Sequence, residues 1–124
     1  NKVFKISRIE DVEVSDDCWI YEAKHHKFPC DIFRMSGEYV EHIRLKLSFM
    51  ARNLLVEEFP MAEKFLKQEN GEWILDTNVC SMRGVGRFVS GLSGEIEILE
   101  GEGLKTYLTE YFQSSLSSLH ASLD

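Results

Sequence analysis

GEWILDTNVCSMRGVGRFVSGLSGEIEILE, residues 71–100, changes its hydrophobic period from one element to the next. Trp73, Leu75 and Thr77 alternate with Glu72, Ile74 and Asp76, as side chains of a strand do. Val85, Phe88, Val89 and Leu92 then fall at i, i+3, i+4 and i+7, the apolar stripe of a helix. Ile96 and Ile98 alternate with Glu95 and Glu97 ahead of Glu100, and the strand period returns. The stretch therefore predicts a strand, a short helix and a second strand.

Working outward, Glu69-Asn70-Gly71 carries the Asn-Gly signal of a tight hairpin, which pairs the Trp73 strand with one entered through Phe65 and Leu66. Pro60 stops a preceding helix, because its ring disfavours helical geometry at Phe59 and removes a backbone donor. That helix buries Ala51, Leu55 and Phe59, with Leu54 beside them, and Ser48 is placed to cap it. Upstream, Val40, Ile43, Leu45 and Leu47 mark a strand whose Arg44, Lys46 and Ser48 face the other way. Downstream, Leu104, Tyr107, Leu108, Tyr111, Phe112 and Leu116 stripe a last helix, with Leu119 and Leu123 continuing it on a Ser-rich tail. From Glu38 the order is β-α-β-β-α-β-α. Split β-α-β crossovers of this kind predict an α+β, ferredoxin-like domain: a four-stranded antiparallel sheet with two helices on one face, followed by a C-terminal helix. The other face then needs a cover, supplied by the last helix, by residues 1–37 or by a second subunit.

Length and charge bound the function. The 124 residues can form one core and an appendage, and 44% apolar with 28% charged residues is ordinary for a globular chain. A net charge of −7 argues against direct binding to duplex DNA, which needs clustered Lys and Arg. Cys18, Cys30 and Cys80 are odd in number and hold no CxxC pair, which fits a reducing, cytoplasmic setting. There is no apolar run of membrane-spanning length and no signal peptide pattern. A chain that starts at Asn1 and runs at once into an apolar stretch is expected to be a fragment of a longer protein. Its first part, residues 1–37, opens with a strand-like Val3, Phe4, Ile6 and Ile9. It continues through an acidic run from Glu10 to Asp17 and a polar, His-containing linker, and it is too short to fold alone. The second part, residues 38–124, is the ferredoxin-like domain.

No nucleophile, base or metal cage is arranged along the chain. His25-His26 and Cys30 lack a further ligand at a plausible spacing, so a solvated linker is the plainer account. Gly84-x-Gly86 and Gly91-x-x-Gly94 lack the Lys and Ser/Thr of a phosphate loop, and helix capping explains them better. Arg83 and Arg87 lie one turn apart at the start of the Val85 helix, where an anion would be welcome; ion pairing within this acidic chain is the simpler use. Tyr107, Tyr111 and Phe112 at helical spacing read as core or interface before they read as a base-stacking platform. Glu95, Glu97 and Glu100 read as a solvated strand face.

The segments ARNLLVEEFP, GEWILDTNV and GVGRFVSGLSGEIEILEGEGLKTYL, taken in order, resemble the C-terminal extension of bacterial WYL-domain transcriptional regulators. FKISRI, residues 4–9, is similar to the terminal strand of the WYL domain itself, often F-R-x-x-R-I. One departure is Gly101, where that family often has Pro. The resemblance implies a non-catalytic, effector-sensing and oligomerising part of a DNA-binding regulator, without a cofactor. DNA would be bound through a helix-turn-helix outside this chain, and the effector would be a nucleotide or nucleic-acid-like molecule. Arg8 matches the arginine of the family's final strand motif and joins Arg83 and Arg87 as a candidate anion contact, although a surface arginine beside an apolar strand is the plainer reading. A ferredoxin-like small-molecule-binding domain or enzyme subunit unrelated to DNA is the alternative. Phe4, Ile6, Ile9, Trp19, Ile20 and Phe28 cannot make a core of their own, so a two-fold homodimer is expected, with packing of the N-terminal segment in cis as the competing outcome.

Overall fold

The structure, a computed structural model, describes residues 4–121. Its sheet runs β2-β3-β1-β4, with β1 at Glu41–Leu47, β2 at Leu66–Glu69, β3 at Glu72–Val79 and β4 at Ile96–Glu100. Every neighbouring pair is antiparallel. Helix α1 (Phe49–Glu58) crosses from β1 to the β2–β3 hairpin, α2 (Met82–Ser90) crosses from β3 to β4, and α3 (Glu102–Ala121) follows β4. This is the ferredoxin-like arrangement that the period changes predict.

Local chemistry sets each boundary. The Ser48 hydroxyl accepts from the Ala51 amide at 3.1 Å and caps α1. The helix ends at Glu58, and Pro60 opens a 3-10 stretch, Pro60–Phe65, that leads into β2. Asn70 and Gly71 take φ of 53° and 81°, the left-handed pair that a two-residue hairpin needs. Register then fixes the faces. Ile43 opposes Thr77 and Leu45 opposes Leu75 on β3, while Ile98 of β4 opposes Leu45 on the other edge of β1. Ile43, Leu45 and Leu75 form one core with Ala51 and Leu55 of α1, Val85, Phe88 and Val89 of α2, and Leu104 and Leu108 of α3, and Ile98 packs against it.

α3 packs on the helical side rather than over the open sheet face. Its entry explains the glycine at 101: φ there is +142°, a conformation closed to proline and strained for any L side chain. The Glu41 carboxylate of β1 caps the incoming helix, accepting from the Gly103 amide at 2.8 Å and the Leu104 amide at 3.1 Å. Beyond Leu108 every described residue of α3 is exposed, so its second half extends past the body.

Two expectations are corrected. Residues 4–9 are not a strand: Ile6–Arg8 is a single 3-10 turn whose backbone bonds are local, and Val3 lies outside the described residues, as does Leu123. An alternating apolar pattern without a neighbour to take its hydrogen bonds has no ladder to join. Nor is the whole of residues 1–37 an appendage. Ile32 and Phe33 are buried in the domain core, so the folded unit begins near Pro29.

Candidate functional site

Residues 31–37 form the feature that sequence periodicity misses. The Asp31 carboxylate is buried and accepts three backbone N–H bonds: Phe33 at 2.9 Å, Met35 at 3.0 Å and Cys80 at 2.8 Å. It thereby closes its own loop and pins that loop to the end of β3. The Cys80 thiol sits beneath, 3.5 Å from the Gly37 carbonyl; burial first, and the nearby Asp31 charge second, push its pKa up and keep it protonated. The loop turns at Arg34, whose φ of 65° is left-handed. Its guanidinium consequently lies over the Phe59 ring, 5.1 Å from the centroid, and donates to the Glu58 carbonyl at 2.9 Å.

A groove of about 430 Å³ opens between this loop, the end of α1 and the outer side of α2. Phe33, Phe59 and Phe88 form its floor, with ring centroids 5.2 to 6.3 Å apart, and Leu54 and Leu92 extend it. Arg34 and Arg87 line it as well, with Glu58 as its one acidic residue. α2 can lie this close because two of its residues are glycines. A β-carbon on Gly84 would meet Met35 Cγ at 2.7 Å, and one on Gly86 would meet the Tyr107 ring at 2.5 Å. These glycines therefore serve close packing inside α2 and not capping, which falls to the Ser81 hydroxyl bonded to the Arg83 amide at 3.1 Å. Gly91 does occupy the C-cap, without a left-handed φ.

The sequence-derived anion contacts are divided by the fold. Arg83 and Arg87 are exposed one turn apart on α2, and Arg87 reaches the groove; Arg8 lies on the N-terminal segment and is not brought to it. Among the described residues neither Arg83 nor Arg87 is ion-paired, contrary to the expectation of pairing within the chain. Arg34 completes the set, and nothing in its sequence neighbourhood signalled it.

The open sheet face is a lattice of paired charges. Arg44 bonds Glu69 at 2.8 Å and lies 3.4 Å from Asp76; Lys46 reaches Glu97 at 3.0 Å and Glu72 at 3.5 Å; Lys67 reaches Glu69 and Asp76. His42 faces two oxygens, the Asn78 amide oxygen at 2.8 Å from Nδ1 and the Asp76 carboxylate at Nε2. Beneath this lattice Ile74, opposite Lys46 and Lys67 in register, is only 2% exposed because long side chains flank it. The face thus covers itself. It presents neither an apolar landing surface nor the aromatic platform of a single-strand binder.

Unpartnered apolar surface lies instead at the two ends. Every described residue of 4–28 is exposed, including Phe4, Ile6, Trp19 and Ile20, and this arm makes no backbone hydrogen bond to the body among the described residues. On α3, Tyr111, Phe112 and Leu116 are exposed on the part that extends past the core. His25 packs against Trp19, ring centroids 4.8 Å apart, and among the described residues no three His, Cys, Asp or Glu side chains gather at metal-binding spacing. No described helix is long and apolar enough to cross a membrane. No protein-family model, curated protein or solved structure matches the chain significantly.

Proposed function

We propose that this chain is an association module: the oligomerising, effector-sensing part of a DNA-binding transcriptional regulator of the WYL type, working by contact and not by catalysis. The observation that carries this reading is the pairing of a well-packed core with large apolar side chains left exposed on both the N-terminal arm and the distal half of α3. Side chains of that size stabilise by roughly 1.5–3 kcal/mol each when a partner buries them, enough together to offset the entropy of association. The charge distribution supports the same reading. The sheet face neutralises its own cations, and the net charge of −7 leaves duplex DNA to be held by another part of the regulator. Arg83 and Arg87, free of ion pairs among the described residues, are the candidate contacts for an anionic effector.

Light scattering and a mobility-shift titration test this together. The chain at micromolar concentration should scatter as a dimer, fall to a monomer on Leu116→Lys or Phe112→Lys with an unchanged circular dichroism spectrum, and give no salt-sensitive shift of duplex DNA. Monomeric scattering of the unaltered chain, or micromolar DNA binding by it, would overturn the proposal.

A further inference from the structure

Charge divides unevenly along this chain. Between Glu10 and Glu22 stand six carboxylates, Glu10, Asp11, Glu13, Asp16, Asp17 and Glu22, with no Lys or Arg among them, and the apolar Val12, Val14, Trp19 and Ile20 are interspersed. All of these residues are exposed. The α2 groove has a largely complementary make-up: Phe33, Phe59 and Phe88 line it with two arginines, Arg34 lying over the Phe59 ring and Arg87 on α2, against a single acidic residue, Glu58, and Arg83 is one turn away.

We infer that residues 10–22 of one copy dock into the Arg34/Arg87 groove of a second copy, so that two arms are exchanged about a two-fold axis. The arm belongs to another molecule because it stands clear of its own body: it has no buried residue and no backbone bond to the domain among the described residues. The groove's volume of about 430 Å³ suits one or two large side chains, such as Trp19 and Ile20, and not the whole arm. Asp16 and Asp17 stand three and two residues before Trp19, with Cys18 between, and would lie at the rim within reach of the arginines. Guanidinium and carboxylate then meet at the edge of an apolar contact, where they select the partner and fix its register. Because the contact is reciprocal, each copy both gives and receives an arm, and the assembly closes at two.

This inference rests on the association reading and adds the surface and its occupant. A charge-exchange series tests it by sedimentation equilibrium on the full chain. Arg87→Glu, and separately Asp16→Lys with Asp17→Lys, should each weaken the dimer about tenfold or more; all three changes in one chain should restore most of the lost affinity. The positions are exposed, and circular dichroism should show an unchanged fold. If the Arg87→Glu chain and the Asp16→Lys, Asp17→Lys chain dimerise like the original while a separate Leu116→Lys chain is monomeric, the strap contact is overturned and the association reading stands. Loss without restoration in the combined chain would also overturn it. An unaltered chain that is monomeric throughout would sink both.

Discussion

The buried carboxylate of Asp31 accepts the backbone N–H of Cys80 at 2.8 Å across 49 residues of sequence. Through that bond the chain before β1 becomes part of the domain, and the aromatic floor of the groove is held in place. Replacing Asp31 by Ala leaves three buried or half-buried backbone donors unpaired and should destabilise the chain by roughly 2–4 kcal/mol. Asn keeps the shape and one acceptor, and should cost less than Ala. Urea denaturation measures both; a loss under about 0.5 kcal/mol for the Ala variant would show that the loop is not anchored in this way.

Gly86 and Tyr107 make a second such dependence. Gly86→Ala gains about 1 kcal/mol of helix propensity, but its β-carbon would fall 2.5 Å from the Tyr107 ring, which is itself stacked on Tyr111. Overpacking of that kind costs roughly 1–3 kcal/mol, so the substitution should be destabilising overall. In a Tyr107→Ala background the clash is gone, and the same change should become neutral or stabilising. This reversal of sign in a double-mutant cycle is the expected result; equal effects in both backgrounds would refute the contact.

His42 predicts a pH dependence. Hydrogen bonding to Asn78 first, and then to the Asp76 carboxylate, raises its pKa above 6.5 despite slight burial. The folded value exceeds the unfolded one, so the stabilisation is complete below pH 6.5 and is lost as pH rises through the folded value. His42 is nearly half exposed, and solvent screening keeps the effect to a few tenths of a kcal/mol. Comparing unfolding midpoints of the chain with those of His42→Gln at about pH 5.5 and about pH 8.5 should show the larger gap at the lower pH. An imidazole NMR titration at or below 6.5 would contradict it.

The sheet and its three helices were legible because each carries a period, a cap or a breaker: Ser48, Pro60 and Asn70-Gly71 all act as their chemistry dictates. The Asp31 loop was not, since a carboxylate that gathers backbone donors within an irregular segment leaves no periodic trace. Gly84 and Gly86 read as caps because a glycine needed for close approach looks the same in sequence as one needed for a turn. The arginine groove required the fold itself, which brings Arg34 into one groove with Arg87 from across β1, α1, β2 and β3. The opening apolar stretch reads as a strand and is not one, because alternation records which faces differ and not whether a neighbour exists to pair with.

Sedimentation velocity of the unaltered chain, over a dilution series through the micromolar range, decides whether the exposed arm and helix end meet another copy as proposed. The expected result is a species of twice 14.4 kDa that gives way reversibly to the monomer as concentration falls. A single species of 14.4 kDa at every concentration would contradict it.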